Sequence, residues 1–338
     1  MAYYPRISQD HHVLAQHISK YDAVKYVCNV TFLVILLVVA TAFNADEVDT
    51  AIVGQVLSVV ISLPLMHFGW KRISEVPSLS KLPEGSSMLS QGFKKLYQTR
   101  KQINETNKPL KWFMRAIIFG APAMTSFVFV GPSFTIEFMD FDAGQNIAVV
   151  IGLTLSAVPG SLICRKMFAW KNPLFTCRFF QLLAFISSFI CAALVTDEDA
   201  IVPLFIYVCL LGCCIGGYFT AESALFACVI PRDQEAELMG YYMFASRVCI
   251  WLPPIIFTIA NENDADLNKA MVLVHTPSLL FFLLSLPMGS FEDVVAASSA
   301  HKQVRKTTMD VSAKEDSESD EVESKVVDKD LEVEVSEQ

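Results

Sequence analysis

Eight apolar blocks recur along this chain of 338 residues. Each has about the 20 residues that a helix needs to cross the ~30 Å hydrocarbon layer of a bilayer. Hydrophobic residues make up 53% of the chain, so a soluble fold would need a very large core. We therefore predict an all-α integral membrane protein with about eight transmembrane helices. The predicted spans cover residues 23–43, 51–68, 112–132, 145–163, 174–195, 201–221, 238–260 and 270–288.

The connection between the second and third spans is the only long polar stretch inside this apolar region. From Lys71 to Arg115 it carries ten Lys and Arg residues against three Glu residues. Loops rich in Lys and Arg are retained on the cytoplasmic side of a membrane. Lys and Arg recur at alternate later connections, while Asp and Glu dominate the others. We expect this connector and both chain termini to be cytoplasmic.

Charge and hydropathy together predict five segments. These are a cytoplasmic N-terminal segment (1–22), two transmembrane helices (23–69), a basic cytoplasmic loop (70–110), a six-helix bundle (111–290) and a cytoplasmic tail (291–338). From Asp310 onward the tail holds twelve acidic residues and three lysines, and it supplies most of the net charge of −9. Such a composition cannot bury enough apolar surface to fold, so we predict that the tail is disordered.

No pattern of catalytic residues stands out in the sequence. There is no Gly-x-Ser-x-Gly, no phosphate-binding glycine loop and no His-Glu-x-x-His. The nine cysteines form no Cys-x-x-Cys pair, and His11, His12 and His17 have no spacing typical of metal ligands. We expect no enzyme activity, no cofactor, no metal site and no nucleic-acid partner. The lipid bilayer and a small solute are the partners that this composition favours.

Polar residues within the apolar blocks are the main functional signal, because they are costly at membrane depth and usually face a cavity or a partner. Arg247 lies well inside the seventh span, where it would contact an anionic group of a substrate or pair with an acid of the bundle. Glu222 lies near the inner end of the sixth span, where proton coupling and a gate or interface role are both open. The predicted pathway residues are Arg247, Tyr241, Tyr242, Glu222 and Tyr218.

The approach to the seventh span carries the most specific motif in the chain. It reads Val-Ile-Pro-Arg-Asp-Gln-Glu-Ala-Glu-Leu-Met-Gly-Tyr-Tyr over residues 229–242, with Arg247 and Pro254 further on. This pattern resembles the vacuole-effluxer family, which are major-facilitator transporters related to the autophagy-linked carrier that releases amino acids from fungal vacuoles. The matching positions, which the resemblance implies form a cytoplasmic gate motif, are Pro231, Glu235, Glu237, Gly240 and Pro254.

The chain departs from the family pattern at several positions. Pro253 stands where the family has Gly, and Ser223 and Cys228 stand where it often has arginines. Residues 119–122 read Phe-Gly-Ala-Pro where the family has a sequence like Tyr-Asn-Asp-Gly.

The resemblance covers about residues 18–288 and implies a partial major-facilitator-type helical bundle. Such carriers have twelve helices in two halves. This chain would supply the last two helices of the first half, the central inner loop and the whole second half. Four helices of the usual set are then missing, and an incomplete N-terminus is one explanation.

The resemblance implies a secondary-active transporter that works by alternating access. Amino-acid efflux from a vacuole or lysosome-like compartment is the leading expectation, in a multi-pass endomembrane protein. One alternative is a truncated, non-transporting homologue that serves as a membrane scaffold or partner. Another is a carrier for a different solute, such as a sugar. A homodimer is the arrangement in which two such chains would enclose a pathway.

Overall fold

The computed structural model describes residues 11–43, 47–72, 87–230, 235–263 and 265–297. Regular structure in these ranges is helical, as the sequence predicts. The helices are α1 (His11–Ala42), α2 (Glu47–Arg72), α3 (Met88–Thr106), α4 (Lys108–Met139), α5 (Ala143–Trp170), α6 (Pro173–Leu194), α7 (Ile201–Val229), α8 (Glu235–Arg247), α9 (Leu252–Glu262), α10 (Leu267–Val274) and α11 (Thr276–Ser285). A 3₁₀ turn (Leu286–Met288) and a helical segment over 291–297 follow.

Eight stretches in the described ranges are long and apolar enough to cross a membrane, which confirms the expected number. They are Gln16–Val39, Val48–Arg72, Lys108–Met139, Gly144–Trp170, Pro173–Leu194, Ile201–Val229, Leu238–Glu262 and Leu267–Met288. Several helices continue past the predicted limits, because polar residues are tolerated in a helix that leaves the hydrocarbon layer. The largest differences are at α1, which begins at His11, and at α3, which lies inside the predicted basic loop. The acidic tail beyond residue 297 lies outside the described residues.

Prolines interrupt two spans and leave others continuous. The seventh span is divided into α8 and α9 by turn residues 248–251, just before Pro253, and α11 begins directly after His275 with Pro277 in its first turn. Proline has no N–H and cannot continue the hydrogen bonds of a helix interior without a local adjustment. Helices α4 and α5 run through Pro122 and Pro159 without a break.

Helix α7 lies at the centre of the six-span bundle and packs most extensively against α5 and α6. Its contact with α5 depends on glycine. An added Cβ at Gly216 would overlap the carbonyl oxygen of Ala157, and one at Gly212 would overlap that of Leu153. From the other side, a Cβ at Gly160 would overlap the carbonyl oxygen of Cys213. The Gly212–Gly216 pair therefore works as a small-xxx-small motif with α5 as its partner.

The first two helices differ in how they attach to this bundle. Helix α1 packs along α5 and also contacts α7, whereas α2 has few contacts and its span has no buried residue in its apolar window. The two ends of the molecule differ in charge, and we call them the basic end and the acidic end. The basic end is flanked by Lys71, Arg72, Arg115, Arg165 and Lys166, and the acidic end by Glu137, Asp140, Asp142, Glu262 and Asp266.

Candidate functional site: a polar seam and a cleft

Three of the predicted pathway residues come together near the basic end of the bundle. Glu222 and Tyr218 lie one turn apart on α7, and Tyr242 faces them from α8; all three are buried. The Tyr242 hydroxyl donates a hydrogen bond of 2.8 Å to Glu222 Oε1. The Tyr242 ring stacks on Phe226 with ring centroids 4.1 Å apart, which fixes the hydroxyl toward the carboxylate. The other oxygen, Glu222 Oε2, is buried without a hydrogen-bond partner among the described residues.

The cluster continues into the bundle core through Gln181 of α6. The Gln181 side-chain amide donates a hydrogen bond of 2.9 Å to the carbonyl oxygen of Gly120 on α4. A Cβ at position 120 would lie only 2.6 Å from the Tyr218 hydroxyl and 2.9 Å from Gln181 Nε2, so the close approach of these groups requires glycine. Phe281 of α11 closes this side with its ring edge-on to Tyr218 at 5.5 Å.

Helix α1 brings a second group of polar residues to the same end. The Ser19 hydroxyl donates a hydrogen bond of 2.8 Å to the carbonyl oxygen of Ser161 on α5, and both residues are fully buried. Asp22 is 1% exposed, and Asp22 Oδ1 accepts a hydrogen bond of 2.8 Å from Lys25. Tyr26, one turn further along α1, is 7% exposed. We call the set Ser19, Asp22, Tyr26, Ser161, Glu222 and Tyr242 the polar seam.

The remaining predicted residues lie around this seam or away from it. Arg247 is the last residue of α8; its side chain is exposed, and it acts electrostatically on Glu222. Tyr241 is half-buried and lies in electrostatic range of Arg100 and Arg115 of the basic connector. Gly240 is exposed with open space around it.

The other gate-motif positions give less information. Pro254 is partly buried in the first turn of α9. Glu235 and Glu237 lie in the first turn of α8, but their side chains and the whole of Pro231 lie outside the described residues.

The opposite end of the same interface is open. A cleft of about 680 Å³ separates α1 and α2 from α4 and α5 near the acidic end. Its walls are mainly apolar and carry a few polar side chains. We call it the acidic-end cleft; its lining residues are Phe32, Leu36, Thr50, Ala51, Gly54, Gln55, Ser58, Val59, Pro132, Ile136, Asn146 and Ile147. Helices α1 and α5 thus meet at one end and part at the other.

Sequence reasoning missed Asp22, Ser19, Tyr26 and Gln181. Asp22 was assigned to the polar N-terminal segment, because the first span was expected to begin at residue 23. The available signal was the Asp22–Lys25 spacing, which places an acid and a base on one face of a helix. Ser19, Tyr26 and Gln181 gave no signal, since single polar residues of this kind are common near span ends.

A second buried polar group lies nearer the acidic end of the bundle. His275 is fully buried; its Nδ1 lies 2.9 Å from the carbonyl oxygen of Met271 and its Nε2 lies 3.4 Å from the Ser126 hydroxyl. The Tyr207 ring packs edge-on against it at 6.3 Å. Within the described ranges, no three His, Cys, Asp or Glu side chains come together as a metal site.

Comparisons with known proteins give two solved structures of similar arrangement and one family. No protein with a curated description matches it. Two solved structures of the transporter FucP are similar in arrangement, at 11% sequence identity each. One is a point variant of the E. coli fucose:proton symporter (TM-score 0.49; 74% of this chain and 60% of that chain covered). The other is a major facilitator superfamily transporter in its outward conformation (TM-score 0.48; 72% and 55% covered).

This chain thus spans 60% or less of the length of these two carriers. The family model described as "Vacuole effluxer Atg22 like" matches residues 8–302. The match extends from α1 through α11 and confirms the resemblance drawn from the sequence. The chain therefore belongs to the vacuole effluxer Atg22-like family.

Proposed function

We propose that this protein is a secondary-active carrier that moves a small polar solute between α1–α2 and the six-span bundle. The observation that carries the proposal is the asymmetry of this interface, which is closed by the polar seam at the basic end and open as a cleft at the acidic end. Alternating access requires such an interface, in which two groups of helices rock about a site between them. Closing the cleft while the seam parts would expose the same interface to the other side.

Arg247 supports an aqueous pathway along α8. It lies nine residues after Leu238, where the span begins, which is about 14 Å along a helix and near the middle of the ~30 Å layer. Its side chain is exposed on the protein surface rather than packed in the bundle. A charged side chain at this depth is costly against lipid, and it is normally placed in a water-filled cavity or against a partner. A guanidinium facing such a cavity would bind an anionic group, such as a carboxylate.

A neutral amino acid is the solute that we favour. The family description names a vacuole effluxer, and a carboxylate on the solute would suit Arg247. We place the protein in a vacuolar or lysosome-like membrane, with the basic end and both termini in the cytosol. The acidic-end cleft would then open to the lumen, as efflux requires. A sugar carrier is the alternative within this class, and it predicts no role for a cationic side chain.

A scaffold role is favoured by one observation. The apolar window of α2 is without a buried residue, so a further helix or a second copy of this chain has room to pack there. A protein of this kind would use α2 as a docking surface and transport nothing. A stable homodimer that transports would instead fit two chains enclosing one pathway.

Transport by the purified full chain in proteoliposomes tests the proposal. We expect saturable counterflow of labelled neutral amino acids well above that of empty liposomes. Arg247→Ala should lower the flux about tenfold or more, because a charge-assisted hydrogen bond contributes roughly 1.5–3 kcal/mol. The matched control is Arg165→Ala, which removes an exposed arginine at the basic end and should leave the flux unchanged.

The competing functions give different results in the same assay. Flux of sugars without amino acids would replace the amino-acid assignment. Flux equal to that of empty liposomes for amino acids and sugars alike, from correctly folded protein, would refute the carrier and support the scaffold. Equal rates for wild type and Arg247→Ala would remove Arg247 from the pathway.

A further inference from the structure

The polar seam holds two buried carboxylates from helices that pack against each other. Asp22 on α1 and Glu222 on α7 are each 1% exposed. Each uses one oxygen in a 2.8 Å hydrogen bond, Asp22 with Lys25 and Glu222 with Tyr242. Their second oxygens, Asp22 Oδ2 and Glu222 Oε2, are both buried without a hydrogen-bond partner among the described residues. Neither of these oxygens accepts a hydrogen bond of normal geometry, although the Tyr218 hydroxyl, one turn away on α7, interacts with the Glu222 carboxylate. A buried acceptor in this state is costly away from water.

Two cations lie near this pair, but among the described residues neither forms an ion pair with Glu222. Asp22 acts electrostatically on Glu222, and Tyr26 lies in range of both carboxylates. Of the cations nearby, Lys25 is already paired with Asp22, and Arg247 acts on Glu222 only from the exposed surface. The other titratable groups facing the pair are neutral hydrogen-bonding or thiol groups: Cys164 from α5, Cys177 from α6, Tyr218 from α7 and Tyr242 from α8.

An uncompensated carboxylate in such a place is strongly disfavoured, because burying an isolated charge costs several kcal/mol even after relaxation. One positive charge bound directly to the Glu222 carboxylate would neutralise it. The described residues offer no group of three carboxylate, imidazole or thiol ligands for a metal ion. A single proton needs only one carboxylate oxygen, and Glu222 Oε2 is available for it. The geometry therefore favours a proton over a larger cation.

We propose that Asp22 and Glu222 form a one-proton site in the polar seam, and that this proton is the coupling ion of the carrier. The coupling role of this proton rests on the proposed transport function. The existence of the proton site does not depend on that function. Glu222 holds the proton while the seam is closed. When α1 parts from α5 and α7, water reaches Glu222, its O–H bond breaks, and the proton passes to water as the carboxylate becomes solvated.

Infrared spectroscopy on the purified full chain in lipid nanodiscs tests the site without any solute. The wild type should show the C=O band of a buried carboxylic acid at neutral pH, which is lost on titration to high pH. Glu222→Gln should remove this band, while Glu198→Gln, an exposed acid of the α6–α7 connection, should keep it. Glutamine can still accept the hydrogen bond from Tyr242, so this variant should fold. Identical bands in the wild type and Glu222→Gln would overturn the proposal.

A second variant tests the same site if Glu222→Gln fails to fold. Asp22→Asn removes the neighbouring negative charge and leaves Glu222 in place. The band should persist, but it should disappear at a lower pH than in the wild type, because the ionised Glu222 no longer faces another carboxylate. A purely structural role for Asp22 predicts no such shift, and an unchanged titration would count against a shared site.

Flux measurements separate this inference from the proposed function. A proton gradient should drive solute accumulation by the wild type, and Glu222→Gln should lose this accumulation yet retain counterflow at equal pH. Counterflow by the wild type with no response to a proton gradient would refute the coupling role but not the proposed carrier function. A buried acid band without any solute flux would support the proton site and refute the carrier.

Discussion

The contact between α5 and α7 makes a quantitative prediction at Gly216. An added Cβ there would lie 2.8 Å from the Cα of Ala157 and 2.7 Å from its carbonyl carbon. Carbon atoms that are not bonded normally stay about 3.5–4.0 Å apart. Both atoms belong to backbone rather than to a flexible side chain, so no rotamer change relieves the overlap. Gly216→Ala must therefore separate the two helices by about 1 Å.

The energetic cost has two opposing parts. Overpacking of a close contact typically costs about 1–3 kcal/mol. Alanine is a better helix former than glycine by roughly 0.5–1 kcal/mol, which offsets part of this cost. The difference of these two ranges spans about 0–2.5 kcal/mol, and we expect a net loss of about 1–2 kcal/mol for Gly216→Ala because the overlapping atoms are backbone and cannot change rotamer. Gly69 on α2 is the matched control, because nothing lies within 4 Å of a Cβ there and only the helix-propensity gain applies.

Thermal unfolding of both variants in detergent measures this difference. At about 2–4 °C per kcal/mol, Gly216→Ala should lower the Tm by roughly 2–8 °C, while Gly69→Ala should leave it unchanged or slightly raised. Gly160→Ala should behave like Gly216→Ala, and the double variant should cost less than the sum, because one helix separation relieves both overlaps. A Tm for Gly216→Ala at or above that of Gly69→Ala would refute the close contact.

Two further predictions concern the basic end and the end of the described chain. The Arg178 guanidinium donates hydrogen bonds to the hydroxyl (3.0 Å) and the carbonyl oxygen of Ser285, which joins α6 to α11. Arg178→Ala should therefore lower the free energy of unfolding in bicelles by about 1.5–3 kcal/mol. An effect no larger than that of Arg165→Ala, which removes an exposed arginine, would contradict this. The Ser290 backbone N–H and hydroxyl donate to Asp293 and hold the pKa of this exposed carboxyl below its usual value. This cap should therefore stabilise 291–297 above about pH 4 and be lost as the pH falls through the lowered pKa. The protection of the amides there, measured relative to their intrinsic exchange rates, should then fall in acid. Asp293→Asn should abolish that pH dependence, and an unchanged profile would contradict it.

The sequence predicts the number and order of the spans well, because the length of an apolar block is set directly by bilayer thickness. Glu222, Tyr218 and Tyr242, which the sequence selects singly as pathway residues, lie together in the structure, since polar side chains at membrane depth find partners inside the protein. Their role in a pathway stays a prediction. The family assignment follows from a local motif near residues 229–242 and is confirmed by the family model. The orientation of the basic connector and the roles of the gate-motif residues remain predictions.

The sequence does not predict which helices pack against each other. Asp22 is buried because α1 packs on α5 and α7, and that packing depends on contacts more than a hundred residues apart, such as Ser19 with Ser161. The need for glycine at position 120 likewise arises from Tyr218 and Gln181, which come from two other helices. Pro253 and Pro122 look alike in the sequence, yet only the first lies beside a break, because the surrounding helices decide whether a proline interrupts a span.

Cross-linking the polar seam tests most directly whether the interface of α1 with the bundle is the moving part. The Ser19 hydroxyl lies 2.8 Å from the carbonyl oxygen of Ser161, so cysteines at both positions lie within reach of a short, reducible thiol cross-linker. The measurement is solute counterflow in proteoliposomes before cross-linking, after cross-linking and after reduction. The controls are the two variants that carry only one of the two added cysteines. Our account predicts that cross-linking stops the flux and that reduction restores it; undiminished flux through fully cross-linked protein would contradict it.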